Sequence, residues 1–147
     1  MGGCGTLAHL HHSLRKRGIL IMMSPTLLLI FLLVCHYLAD FCFTTPKMIR
    51  AKADGRDPWP IMLHAAIHAG LMTICLLLWA ISWKAVLLAM AVEGGTHFLI
   101  DWTKARLSAR LPILADNRQK PYWMFYGLDQ LLHQMVIVEV WYYCYMN

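Results

Sequence analysis

Residues 92–104 read VEGGTHFLIDWTK and place Glu93, His97 and Asp101 at intervals of four residues. That spacing puts the three ionisable side chains on one face of an α-helix, each about 6 Å further along the axis. The stretch ends an apolar run. It therefore predicts a helix that carries a polar stripe inside a hydrophobic setting.

The composition is typical of a membrane protein. Of the 147 residues, 59% are hydrophobic and 14% are charged, and the mean hydropathy is +0.52. Soluble domains carry about a quarter charged residues. The net charge of +5 resides in short basic segments between apolar runs. This pattern indicates membrane topology, and we expect no nucleic-acid partner.

Four apolar segments predict an all-α fold, a polytopic four-helix transmembrane bundle. The segments cover about residues 24–44, 60–83, 84–102 and 122–146. A membrane-spanning helix needs roughly 20 residues, so each segment is long enough. Residues 22–147 are the predicted membrane domain, and residues 1–21 a leader that is disordered or outside the fold. In the third segment, Gly94 and Gly95 favour either close helix approach or a local break.

Basic residues concentrate in two loops, residues 45–59 and 103–121. The positive-inside rule places both loops in the cytoplasm. Trp59, Trp102 and Trp123 fall at the same predicted ends, as expected for an interfacial aromatic belt. We therefore expect a multi-pass protein of the cell's inner (cytoplasmic) membrane, with membrane lipid as its partner.

Each apolar segment carries acids or imidazoles four residues apart, in the half nearest the cytoplasm. The candidate metal ligands are His36, Asp40, His64, His68, His97, Asp101, Asp129 and His133. An intramembrane carboxylate costs about 2.5–3.5 kcal/mol on insertion scales, so these groups need compensation. A divalent cation neutralises carboxylates and accepts neutral imidazoles. The set predicts one or two divalent ions, with zinc as the first choice.

This interpretation suggests a metal-dependent hydrolase of a lipid or phosphorylated substrate. Glu93 and Asp101 are the candidate catalytic groups, Glu93 as a spare general base. Lys47, Lys104 and Gln130 are candidates for binding an anionic substrate, although the two lysines serve equally well as topology markers.

A non-enzymatic function stays open beside the hydrolase. The polar groups could form a metal-free network, conduct or sense protons or metal, or hold a metal that staples the helices for partner binding. Four short spans argue against a monomeric transporter, but a homo-oligomer could form a pore.

Four motifs occur in a fixed order along the chain: HYLADF from His36, HAAIH from His64, HFLIDWTK from His97 and DQLLH from Asp129. In this order they resemble a small family of bacterial and phage integral membrane proteins of unknown function. The resemblance covers about residues 27–135. It implies a membrane location and a shared site, without an established activity. The chain differs where the family often has Gln after the DF pair, since Thr44 and Thr45 stand there; Glu93 also lies outside the family's pattern.

Overall fold

The structure, a computed structural model, describes residues 24–146, so the predicted leader lies outside the described residues. The described residues form five α-helices, a short 3-10 turn at Pro112–Leu114 and no strand. The helices are α1 Pro25–Phe41, α2 Pro46–Asp54, α3 Pro58–Leu78, α4 Trp83–Arg110 and α5 Lys120–Met146. The predicted all-α class is confirmed for this part of the chain.

Proline marks the start of the first three helices, at Pro25, Pro46 and Pro58. At the first helical position proline loses no hydrogen bond, and its fixed φ suits the helix. Side chains also cap the second and third of these helices. Thr45 accepts from the backbone N–H of Met48 at 3.4 Å, and Asp57 accepts from that of Trp59 at 3.0 Å. These local signals turn the chain twice between residues 41 and 58.

The four long helices pack in a closed ring. Helix α1 contacts α3 and α5, and helix α4 contacts the same two helices. The short helix α2 lies across one end, against α3 and α4. One half of the interior is apolar, and its buried residues include Leu28, Leu32, Met72, Leu76, Val86, Ile137 and Val140. The other half contains the ionisable side chains.

Two elements differ from the sequence prediction. The predicted loop of residues 45–59 contains helix α2, and the third long helix continues to Arg110 instead of ending near residue 102. Residues 103–110 read TKARLSAR, which are mostly good helix formers. Ala105 in this extension is fully buried against Ala51 of α2. The prediction ended this helix too early because hydropathy detects only its apolar part, and the polar residues that follow continue the same helix. Helix α4 runs through Gly94 and Gly95 without a break.

The exterior is consistent with a lipid environment. Helices α3 and α4 are each long and apolar enough to cross a membrane, and α1 with α2 make a third span if that pair, bent by 87°, counts as one. Helix α5 is not among these candidates, although it has 27 residues. It carries Asp129, Gln130, His133, Gln134 and Glu139. Two or three helices could therefore span a membrane, which indicates a membrane protein.

Gly55, in the first basic segment, lies against the backbone of Ala105 in the second and should be intolerant of substitution. Its φ is +60°, and an added Cβ would lie 2.8 Å from the carbonyl oxygen of Ala105. We expect Gly55→Ala to lower the free energy of unfolding by about 1–3 kcal/mol, because both the backbone and the contact would be strained. Denaturation in mixed detergent micelles measures this change. The control is Gly127→Ala, whose Cβ meets nothing within 4 Å. Equal stability of the two variants would contradict the expectation.

Candidate metal centre

Nine ionisable side chains from the four long helices meet in one cluster, called here the His/Asp cluster. Its members are His36, Asp40, His64, His68, Glu93, His97, Asp101, Asp129 and His133. Eight of them are buried, and the Asp40 side chain is 11% exposed. The cluster is compact, since the centroid of the His97 ring lies 3.7 Å from that of the His68 ring and 4.0 Å from that of the His133 ring. The structure thus brings together all eight predicted metal ligands.

Three donor atoms of the cluster form a nearly equilateral triangle. His64 Nε2 lies 3.1 Å from Asp40 Oδ1 and 3.1 Å from His68 Nε2, and His68 Nε2 lies 3.4 Å from Asp40 Oδ1. Two ligands of a tetrahedral zinc ion, each at about 2.0–2.1 Å, are about 3.3 Å apart. The triangle therefore has the size of one face of a zinc site. His97 contributes a fourth donor, within 4.8 Å of the other three.

A second group of donors adjoins the first. Asp101 places its two carboxylate oxygens 3.5 Å from His97 Nε2 and 3.6 Å from His133 Nε2. The groups meet where His64 Nε2 lies 3.7 Å from Asp101 Oδ2. Three protein ligands with one open position are typical of catalytic zinc sites. The cluster offers two such sets without a shared residue, provided that His97 serves the second. A further group of donors overlaps both sets, and its members are His36, His68, Glu93 and His97.

Two of the imidazoles are oriented by oxygen atoms on their outer side. The hydroxyl of Thr44 donates to the Ala39 carbonyl at 3.1 Å, so its oxygen can accept from His64 Nδ1–H at 3.4 Å. Glu93 Oε1 likewise accepts from His97 Nδ1–H at 3.4 Å. Both imidazoles then direct an Nε2 lone pair into the cluster. Metal-ligating histidines usually have an outer partner of this kind.

In each case the inward lone pair faces a carboxylate. His64 Nε2 lies 3.1 Å from Asp40 Oδ1, and His97 Nε2 lies 3.5 Å from Asp101 Oδ2. His97 Nε2 makes no hydrogen bond with any described residue, and the same is true of both ring nitrogens of His36. A lone pair against an anionic oxygen is repulsive unless a proton or a metal ion lies between them. These groups could therefore hold a metal ion or share a proton.

Two lysines supply the positive charge of the cluster. Lys52 Nζ lies 2.8 Å from Asp101 Oδ2 and 3.8 Å from Asp40 Oδ1. Lys104 Nζ lies 2.7 Å from Asp129 Oδ2. Counting Glu93 and the three aspartates as ionised, four carboxylates face two ammonium groups, which leaves a formal charge of −2 with neutral imidazoles. One divalent cation would balance it.

The cluster opens into a cavity of about 370 Å³ at the end covered by α2. Its polar lining includes Asp40, Thr44, Lys52, Lys104, Asp129 and Gln130, and its apolar lining includes Phe41, Ile49, Leu114, Phe125 and Tyr126. Gln130 Nε2 donates to Asp40 Oδ2 at 3.3 Å and to Asp129 Oδ2 at 3.4 Å. The cavity therefore combines polar and apolar walls beside two carboxylates of the cluster, those of Asp40 and Asp129.

A comparison with known families supports the resemblance seen in the motifs. A family model matches residues 28–147. The chain belongs to the family described as "Protein of unknown function (DUF3307)". No curated protein and no solved structure shows a significant match to it. The family's description gives no activity, so the function of this DUF3307 member must be argued from its own cluster.

The remaining predicted residues of this DUF3307 member separate into two groups. Lys104 and Gln130 line the cavity, as a substrate-binding function would require. Lys47 is exposed and does not line the cavity. Two further residues contact the cluster without having been predicted as site residues. Lys52 lies in a segment read as a basic loop, and Thr44 was noted only as a departure from the family's pattern. The TP pair at residues 45–46 was the available signal, since it predicts a chain turn that folds the following residues back.

Proposed function

We propose that this chain is an integral membrane protein whose His/Asp cluster binds divalent metal, with zinc as the first choice. We further propose that it hydrolyses a lipid or phosphorylated substrate at the cytoplasmic face of the inner membrane. The donor triangle of Asp40, His64 and His68 carries this proposal, because its edges of 3.1, 3.1 and 3.4 Å suit one zinc ion. The second donor set around Asp101 provides for a second ion.

A four-helix membrane bundle completes the proposal. The loops of residues 45–59 and 103–121 would lie in the cytoplasm. Their mutual contact supports this arrangement, since Arg106 Nη1 donates to the Gly55 carbonyl at 3.4 Å. Helix α5 would be the fourth span, with Asp129 and His133 directed into the cluster and Leu128, Leu131 and Met135 exposed.

The chemistry follows from the positions of the side chains. A bound divalent ion would lower the pKa of a water molecule and polarise a phosphoryl or acyl oxygen. Lys104 and Gln130 line the cavity and would hold an anionic group of the substrate. Asp101, at the contact between the donor sets, would act as a ligand or as a proton acceptor. Glu93 binds His97 Nδ1, which favours a positioning role over that of a general base.

A metal-free polar network is the second candidate. The ion pairs Lys52–Asp101 at 2.8 Å and Lys104–Asp129 at 2.7 Å neutralise two carboxylates without metal. Protons could then occupy the remaining contacts between imidazoles and carboxylates, as in a proton relay. This alternative predicts a protein that carries no stoichiometric metal.

Elemental analysis combined with turnover separates the two candidates. The protein is purified without a histidine tag, its bound metal is measured, and phospholipids and isoprenoid phosphates are screened for hydrolysis. We expect close to stoichiometric metal, chelator-sensitive turnover, and loss of both in the double variant His64→Ala with His97→Ala. A control variant, with His9, His11 and His12 all changed to alanine, reveals metal held by the leader. Trace metal in the wild type, or metal unchanged in the double variant, would reject the metal centre.

A further inference from the structure

An apolar groove runs along the outer surface between helices α4 and α5. It has a volume of about 260 Å³, and its lining residues are Leu99, Ile100, Thr103, Lys104, Leu107, Phe125, Leu128, Asp129 and Leu132. On α4 the groove extends from residue 99 to residue 107, which corresponds to about 12 Å along the helix axis. Helix α4 is one of the candidate membrane spans. In the proposed topology the groove lies at the cytoplasmic boundary of the membrane, with Leu99 and Leu132 on the membrane side and Leu107 on the cytoplasmic side.

The groove and the polar cavity share a wall. Lys104, Phe125 and Asp129 line both of them. Lys104 Nζ binds Asp129 Oδ2 at 2.7 Å and lies 4.7 Å from the centre of the Tyr126 ring. An ammonium group therefore stands at the point where an apolar surface channel meets a cavity that leads to the His/Asp cluster.

We propose that the groove holds the hydrocarbon chain of a membrane amphiphile whose phosphate headgroup lies in the cavity against Lys104. This inference rests on the proposed function and narrows its substrate to a lipid phosphate. The groove is too apolar for a headgroup, and the cavity contains Lys52 and Lys104 beside the candidate metal donors. A phosphate would share the Lys104 ammonium group with Asp129, while a linear chain would lie along Leu99 and Leu132 toward the membrane interior.

Photo-crosslinking tests the groove directly. The full-length protein in phosphatidylcholine nanodiscs is labelled with dodecyl phosphate that carries a terminal diazirine, and the crosslinks are mapped by mass spectrometry. We expect them on Leu99, Leu128 and Leu132. Dodecyl phosphate should compete strongly. Butyl phosphate should compete at least about tenfold less, because two buried methylenes already correspond to about tenfold. Dodecanol should also compete at least about tenfold less, because it lacks the phosphate that Lys104 would bind.

Two tryptophan variants on helix α5 provide the matched comparison. Leu128→Trp fills the groove and should reduce crosslinking there by about tenfold. Leu131→Trp lies on an exposed surface outside the groove and should change nothing. Any of three results would overturn the proposal: the label reacts evenly with all exposed apolar surfaces, the two variants are crosslinked equally, or dodecanol competes as well as dodecyl phosphate.

The metal content of the same preparations separates this inference from the proposed function. Bound metal with no preference for the groove rejects the lipid site and leaves the metal centre intact. Groove-specific crosslinking without metal rejects the metal centre and leaves the lipid site established. Each result decides one proposal by a measurement that does not depend on the other.

Discussion

Zinc affinity should fall by at least about 100-fold in His64→Ala, because this change removes one corner of the donor triangle. Loss of a hydrogen-bond partner outside a metal site costs about 10–100-fold in metal affinity, and loss of a ligand should exceed it. His64 is fully buried, and its Nε2 lies 3.1 Å from both Asp40 Oδ1 and His68 Nε2. Competition titration with a chromophoric zinc chelator measures the change.

Thr44→Val is the matched control for this prediction. Valine has nearly the shape of threonine and removes the oxygen that lies 3.4 Å from His64 Nδ1. The variant should therefore keep the zinc site and lose about 10-fold in affinity, the lower end of the outer-partner range. If His64→Ala binds zinc as tightly as Thr44→Val does, His64 is not a ligand and the triangle is not the metal site.

The sequence predicted the composition of the cluster because helical periodicity is strict. Side chains four residues apart share one helix face. In an apolar segment, the face that carries His97 and Asp101 has to turn inward or bind a partner. The same spacing in four segments predicts the eight ligand candidates, and the structure brings them together. Gln130, predicted as a candidate for substrate binding, lines the cavity beside Asp129.

The sequence could not predict how the polar ends fold over the cluster. Lys52 reaches Asp101 because helix α2 lies across the end of the bundle. Asp101 is on α4, about fifty residues further along the chain. That contact depends on the tertiary packing of Ala51 against Ala105, which no periodicity shows. Likewise, the role of Glu93 follows from which ring nitrogen of His97 it binds, and sequence spacing does not specify that choice.

Asp101→Asn should have the largest effect on stability. The Asp101 side chain is 1% exposed and is the closest carboxylate to Lys52 Nζ, at 2.8 Å, with Asp40 further away at 3.8 Å. Breaking a buried ion pair by removing one partner costs about 3–5 kcal/mol. Because the Lys52 side chain is 24% exposed, water screens part of this loss. We therefore expect a decrease of about 2–3 kcal/mol in the free energy of unfolding, measured with chelator present.

The second step of this experiment removes the unpaired charge. In the double variant Asp101→Asn with Lys52→Met, no ammonium group remains without its carboxylate, so at least half of the lost stability should return. The charge-matched control is Asp116→Asn, which breaks the exposed pair with Arg118 and should leave stability unchanged. If the double variant is no more stable than Asp101→Asn, the loss comes from the contacts of Asp101 with His97 and His133. The Lys52 ion pair would then contribute nothing to holding α2 over the cluster.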